Sequence, residues 1–167
     1  AKAQGNIAAT HAHIDGKVRS VDPLASDNTN PAGGINTSAR DMAKWLMTQL
    51  DSGRVADGTM LFSRKTSEQL WKIVTPIPID SVPPELAPLR SNFIGYALGF
   101  RVCDYRGYKF VYHTGGLTGR VSKVAMIPEL KLGVAVLTNQ ESRPAYESIV
   151  YFVLDHYLRA PKMEWLT

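Results

Sequence analysis

Residues 108–138 read YKFVYHTGGLTGRVSKVAMIPELKLGVAVLT, and their pattern is the clearest structural signal in the chain. Aromatic residues alternate with Lys, Val and His up to His113, which is the period of a half-buried strand. Two further apolar runs, 121–127 and 132–138, are separated by only four residues, Pro-Glu-Leu-Lys. Connections this short join neighbouring antiparallel strands, so the stretch predicts a β-meander.

The segments on either side extend this sheet and cover it. A run from Tyr96 to Cys103, followed by a turn at Arg106-Gly107, predicts one more strand. The nearly all-apolar run 132–138 predicts a central strand covered on both faces, and the apolar positions of 144–158 predict a helix. The fold class is therefore α+β, of the α/β sandwich type: an antiparallel sheet of about four strands with a C-terminal helix on one face and other helices before it.

Two helices are predicted before the sheet, each introduced by a serine that can cap its first turn. The first begins at Ser38 and ends near Gly53, and the second begins at Ser63 and ends at Thr75, before Pro76. Each predicted helix has an apolar face, and the tryptophan on each face is interpreted as a core residue. The faces consist of Met42, Trp45, Leu46 and Leu50 in the first helix and of Leu70, Trp71 and Val74 in the second.

The chain is interpreted as a single region over 1–167 with three parts. Residues 1–75 are mostly helical or irregular, with a hairpin indicated at Asp15-Gly16. Residues 76–92 form a proline-rich connection, which is predicted to be extended and not a sheet strand because proline lacks a backbone donor. Residues 93–160 hold the antiparallel sheet and the terminal helix.

Composition bounds the class of protein. The chain has 167 residues, 44% of them hydrophobic and 20% charged, with a mean hydropathy of −0.14. These values are typical of one soluble globular domain and exclude collagen-like, disordered and membrane-spanning chains. The net charge of +4 is spread along the chain, so nucleic acid is not an expected partner. The lone cysteine, Cys103, cannot form an internal disulfide and is interpreted as a packing residue.

The strongest local signal for chemistry is His113-Thr114-Gly115-Gly116 at the end of a predicted strand. With Gly119, three glycines fall within five residues. They leave a strand edge with little side-chain bulk, where a ligand backbone can approach and backbone N–H groups can face an oxyanion. A glycine-rich hairpin without function is the alternative interpretation of the same letters.

Two stretches together resemble a known family. NPAGGINTSARDMAKWL at 30–46 and HTGGLTGRVSKVAMIPELKLGVAVLTNQ at 113–140 are similar to the C-terminal half of serine hydrolases related to class C β-lactamases and penicillin-binding D-Ala-D-Ala carboxypeptidases. The resemblance extends over most of residues 6–160. It implies a partial β-lactamase/transpeptidase-like fold.

The resemblance also implies roles for the residues of the third family motif, the K-T-G or H-x-G strand. His113 and Gly116 are implied to be catalytic: His113 in the electrostatics and proton network around the nucleophile, and the Gly116 N–H as half of the oxyanion hole. Thr114 and Gly115 are implied to bind substrate. Because His113 replaces a fully charged lysine, we expect weaker attraction for a substrate carboxylate, which favours esterase or peptidase activity over β-lactam hydrolysis.

The other two family motifs are absent from these 167 residues. No serine is followed three residues later by Lys, and no tyrosine is followed two residues later by Asn. We therefore expect the chain to be a C-terminal part of a longer serine hydrolase acting through an acyl-serine intermediate, and to be inactive alone. The resemblance implies no metal or organic cofactor.

Other candidate residues are weaker. Ser26-Asp27-Asn28 matches an S-D-N triplet, but three-residue motifs arise often by chance. His11 and His13 lie on one side of a predicted strand without a third ligand, so hydrogen-bonded histidines are favoured over a metal site. His156 lies near the end of the terminal helix, where a cation is stabilised by the helix dipole.

Two functions of different classes follow. The first is a part of a hydrolase whose partners are a small-molecule or peptide substrate and the missing N-terminal half of the same enzyme. The second is a non-catalytic binding module that adds a partner's strand to the glycine-rich edge. A truncated fold exposes apolar surface, so a homo-oligomer is expected in isolation. Family analogy implies a periplasmic or secreted enzyme, although 1–13 show no signal-peptide pattern.

Overall fold

A computed structural model describes residues 5–23 and 27–165. The strands are β1 Thr10–Ile14, β2 Lys17–Val21, β3 Thr75–Pro76, β4 Ile94–Tyr96, β5 Arg101–Tyr105, β6 Tyr108–Leu117, β7 Arg120–Ile127 and β8 Leu132–Leu137. The helices are α1 Asn30–Gly33, α2 Ala39–Leu50, α3 Arg64–Leu70 and α4 Arg143–Leu158. Short 3-10 turns occupy Asp27–Thr29, Pro84–Leu89 and Pro128–Leu130.

Strands β3 to β8 form one sheet in sequence order, and β1 pairs with β2 in a separate hairpin. The α+β fold class, with an antiparallel sheet and a C-terminal helix, is confirmed. The sheet has six strands and not about four, because a turn with Gly99 at φ +83° divides the predicted strand 96–103 into β4 and β5, and because β3 adds to the edge. The predicted turns at Asp15-Gly16 and Arg106-Gly107 are present, all four residues having positive φ.

Strand β8 was predicted to be central, and this prediction is wrong: β8 is the last strand of the sheet order. Its sequence, LGVAVL, is apolar at every position, yet Leu137 is 37% exposed. The apolar composition of a strand indicates that its two faces pack against other apolar groups. It does not indicate whether the strand pairs with one strand or with two. The described residues therefore leave an apolar strand at a sheet edge.

The second predicted helix is shorter than expected. The side chain of Ser63 accepts a hydrogen bond from the Thr66 N–H at 3.1 Å, as an N-cap should, but α3 ends at Leu70 and not at Thr75. Proline was also expected to keep this region out of the sheet, whereas Pro76 lies in β3. It is tolerated there because β3 is an edge strand whose ladder uses the N–H groups of Val74 and Ile77 instead, both bonded to β4.

Contacts divide the chain into two compact units. The first comprises the described residues of 1–38, 114–123 and 136–167, and the second comprises 39–113 and 124–135. The core of the second unit is formed by α2 and the sheet, with buried side chains that include Leu46, Leu50, Ala97, Phe100, Val102, Val111 and Met126. Helix α2 approaches β8 closely, since a Cβ at Gly133 would lie 3.2 Å from Leu50.

Within the first unit, an ion pair joins β7 to α4. Lys123 of β7 is 1% exposed, and its ammonium is bonded to Glu147 of α4 and lies 4.9 Å from the ring centre of Tyr151. Helix α4 contributes the buried residues Val150 and Leu154. The face of this helix predicted to be apolar is only partly covered in the described structure, since two of its members, Ile149 and Tyr157, are exposed.

The two tryptophans differ in environment. Trp71 packs against the core of the second unit, as predicted. Trp45 was predicted to be core and is 42% exposed, so that prediction is wrong. Trp45 lies at the margin of the apolar face of α2, where Phe62 contacts it edge-on at 6.4 Å between ring centres. Among the described residues, no helix combines the length and apolarity needed to cross a membrane.

Candidate functional site

The four predicted site residues, His113 to Gly116, lie at the end of β6. The pairing of β5 with β6 ends at Arg101 and Tyr112, so β6 continues past the end of β5 for five residues. In the described part of the chain, this segment therefore has no β5 residue opposite it. Such an overhang is suited to accept the backbone of an extended ligand.

His113 belongs to the second unit and is exposed. Its Nε2 lies 3.1 Å from the hydroxyl oxygen of Tyr96 in β4, and the two rings meet edge-on with centres 6.2 Å apart. The predicted catalytic imidazole is therefore held by a hydroxyl group from a different strand.

The glycine segment belongs to the first unit. Thr114 is half-buried, and Gly115 and Gly116 are exposed. A Cβ at Gly115 would lie 2.5 Å from the Ser122 hydroxyl, so a side chain there would require that hydroxyl to rotate away. A Cβ at Gly116 would meet no atom within 4 Å. The space over Gly116 is open, and a substrate can approach the backbone there.

The turn after the glycine segment is fixed from two sides. Gly119 is buried with φ +75°, its N–H donates to Oε1 of Glu141 at 2.6 Å, and its carbonyl accepts from the His11 N–H at 3.0 Å. A Cβ at Gly119 would lie 2.6 Å from Thr10. The β1–β2 hairpin and the segment before α4 therefore hold the end of β6 in place.

An open groove of about 490 Å³ lies within the first unit, next to Gly116. Its lining residues are Gly116, Leu117, Thr118, Val121, Glu141 and Arg143. The Glu141 carboxylate accepts a hydrogen bond from the Gly119 N–H of the turn. The Arg143 side chain is 80% exposed and forms an ion pair with Glu147 at 4.0 Å. The groove thus combines an apolar wall with one cationic group, which can attract an anionic part of a ligand.

The weaker candidates do not join this site. His11 and His13 are hydrogen-bonding residues, as favoured: His11 Nδ1 lies 3.0 Å from the Asn139 carbonyl, and His13 Nε2 lies 3.2 Å from the Gln140 amide. Cys103 is buried in β5, and His156 is exposed near the end of α4. Ser26 lies outside the described residues. Within 5–23 and 27–165, no group of three His, Cys, Asp or Glu residues is arranged to hold a metal ion.

Sequence reasoning missed the surroundings of the motif. Tyr96 is 17 residues from His113, and the sequence pattern marks it only as the start of a strand. Glu141 and Arg143 flank Ser142, the residue before α4, whose side chain makes no cap hydrogen bond. No pattern within the chain marks these residues, because their roles depend on which strands and turns come together.

Comparison with known proteins identifies the family. Residues 2–157 match the family model described as Beta-lactamase. Two relatives are named as hydrolases of unguisins: ungD of Aspergillus violaceofuscus (strain CBS 115571), 30% identical over 135 residues, and ungD' of Aspergillus campestris (strain IBT 28561), 29% identical over 129 residues. These matches cover 78% and 76% of the chain but only 24% and 22% of the relatives. The chain therefore spans about a quarter of their length.

A solved structure shares the fold. It is the octameric penicillin-binding protein homologue from Pyrococcus abyssi, with a TM-score of 0.69 and 21% identity, over 94% of this chain and 32% of that one. The family match covers nearly the whole chain, including β6 with its His-Thr-Gly-Gly segment. The chain belongs to the Beta-lactamase family.

Proposed function

We propose that this chain is the C-terminal part of a serine hydrolase that cleaves esters, amides or peptides through an acyl-serine intermediate. The observation that carries the proposal is the open space over Gly116, on a strand overhang beside a groove. In this role Gly116 supplies one oxyanion-hole N–H, and Thr114 and Gly115 line the bound substrate. The other oxyanion donor and the nucleophile come from an S-x-x-K segment that these 167 residues do not contain.

The coverage of the relatives supports a longer enzyme. Since the chain matches about a quarter of each named hydrolase, most of such a protein lies outside the matched region. Strand β8 also supports the proposal, because an apolar strand at a sheet edge is suited to pair with a further strand. We propose that the rest of the polypeptide pairs there and brings the nucleophile to the glycine segment.

The residue at position 113 bears on the substrate. A lysine carries a full charge near pH 7, whereas a histidine is only partly protonated under these conditions. His113 therefore favours esters and peptides over anionic β-lactams. The names of the two fungal relatives, hydrolases of unguisins, favour a hydrolytic role over a purely binding one.

The test is a comparison of two substrates with the intact polypeptide and its His113→Lys variant. We expect the wild-type enzyme to hydrolyse a neutral p-nitrophenyl ester, and the variant to raise kcat/KM for an anionic β-lactam relative to that ester. The 167-residue chain alone should hydrolyse neither. If the intact polypeptide hydrolyses neither substrate but still binds an extended peptide, the chain is a binding module and the proposal is wrong.

A further inference from the structure

Tyr96 is held more firmly than its exposure suggests. Its backbone pairs with Thr75 of β3 on one side and with Arg101 of β5 on the other. Its carbonyl also accepts a hydrogen bond from the Val74 N–H at 2.9 Å. The position of Tyr96 is thus set by ladders on both sides of β4.

The residues flanking Tyr96 tighten this arrangement. Gly95 is buried, and a Cβ there would lie 2.3 Å from Ile73 and 2.9 Å from the Thr75 carbonyl. Ala97 is buried in the core, and its N–H donates to the Phe100 carbonyl at 2.7 Å. These contacts fix the position of the Tyr96 backbone, from which its side chain extends.

We propose that Tyr96 is a positioning residue for His113, its hydroxyl donating to Nε2 and holding the neutral imidazole in the tautomer with the proton on Nδ1. The 3.1 Å contact and the edge-on meeting of the rings fix both the distance and the plane of the imidazole. The direction of the bond follows from chemistry. A phenol O–H is a stronger donor than an imidazole N–H, and an unprotonated imidazole nitrogen is a stronger acceptor than a phenol oxygen.

This assignment deepens the proposed function and rests on it for its catalytic meaning. If His113 acts in the proton network, Tyr96 occupies Nε2, so Nδ1 is the nitrogen left to face substrate or nucleophile. The tautomer itself is a property of this chain. It can be measured whether or not a nucleophile is present.

The test is long-range ¹H–¹⁵N NMR of the histidine rings at a pH where the imidazole is neutral. In the wild-type protein we expect a protonated-type Nδ1 resonance and an unprotonated-type Nε2 resonance for His113. In Tyr96→Phe, which removes only the hydroxyl, the two resonances should move toward each other or exchange. The matched control is Tyr108→Phe, since Tyr108 is a tyrosine of the same sheet with the same 36% exposure.

Three outcomes would overturn the proposal: a wild-type His113 with its proton on Nε2, a Tyr96→Phe spectrum identical to wild type, or an equal change in Tyr108→Phe. The wild-type spectrum decides the tautomer even if a variant folds poorly. In the intact hydrolase, Tyr96→Phe should lower kcat more than it changes KM. Absence of hydrolysis would contradict the proposed function but not the tautomer, so the two can fail separately.

Discussion

At the scale of single residues, Gly116 and Gly119, which flank Leu117 and Thr118, differ in whether the structure has room for a side chain. Gly116 faces open space, and nothing in the described structure opposes a side chain there. Gly119 has φ +75°, and a Cβ would lie within 2.6 Å of Thr10. Gly116 therefore leaves the backbone accessible to a ligand, and Gly119 is needed for the conformation of the turn.

Substituting these glycines separates function from stability. Gly116→Ala should change the free energy of unfolding by less than about 0.5 kcal/mol, yet lower the acylation rate of the intact enzyme roughly tenfold, the effect of about 1.4 kcal/mol on the barrier. Gly119→Ala should cost about 2 kcal/mol or more in stability because of strain and overlap. Denaturant unfolding and acylation kinetics check both values. An acylation rate unchanged in Gly116→Ala would refute the proposed approach of substrate.

At the scale of elements, Asp104 of β5 binds the backbone of Asn92 and Phe93, the residues directly before β4. Its carboxylate accepts hydrogen bonds from the Asn92 N–H and side-chain amide, both at 2.6 Å, and from the Phe93 N–H at 3.2 Å. Burial opposes ionisation of this carboxyl, but the three hydrogen bonds outweigh burial and lower the pKa of Asp104 below its usual value of 3.8. The charged form therefore stabilises the fold.

This linkage gives a pH-dependent prediction. The pKa of Asp104 is lower in the folded than in the unfolded chain. The ionised carboxylate therefore stabilises the fold in full above about pH 5, and this stabilisation is lost as the pH falls through the pKa of Asp104 in the folded chain. Asp104→Asn should cost about 2 kcal/mol near neutral pH, and the difference from wild type should shrink below about pH 4. Urea unfolding across pH measures this, with the exposed Asp80→Asn as control. A difference that is constant with pH would contradict the account.

Helix α2 contains a polar group without a described partner. Gln49 is 1% exposed, and neither atom of its amide group makes a hydrogen bond in the described structure. Replacing such a group by an apolar one of similar shape removes a desolvation penalty. Gln49→Met should therefore raise the free energy of unfolding by about 1 kcal/mol, whereas Gln69→Met on the exposed side of α3 should change it little. Thermal or denaturant unfolding distinguishes the two, and a destabilised Gln49→Met would mean that the amide has an unrecognised partner.

The elements best predicted from sequence are those specified by local chemistry. Residues 108–138 fixed the β6–β8 meander through alternation and short turns, and Ser63 marked the start of α3 through its cap. Two of the errors are non-local: β8 as a central strand and Trp45 as core both required knowledge of which surfaces meet. The Tyr96–His113 contact joins β4 to β6, and local periodicity carries no information about such contacts.

At the scale of the whole molecule, the edge of β8 should control association of the isolated chain. An apolar edge strand offers unpaired backbone groups to a second copy, and Leu137 is exposed there. We expect dimers or larger species by light scattering. Leu137→Lys should shift them toward monomer, whereas Ile79→Lys, at a 51% exposed site in the proline-rich connection, should not. A wild-type chain that stays monomeric would contradict this expectation.

In the proposed function, these 167 residues supply half of an acyl-transfer site whose nucleophile lies elsewhere in a longer polypeptide. The most direct measurement is to treat the intact polypeptide and the isolated chain with a fluorophosphonate and to map the adduct by mass spectrometry. We predict one adduct, on the serine of an S-x-x-K motif outside residues 1–167, and none on the isolated chain. An adduct on a serine within these residues, or no adduct on the intact polypeptide, would contradict the claim.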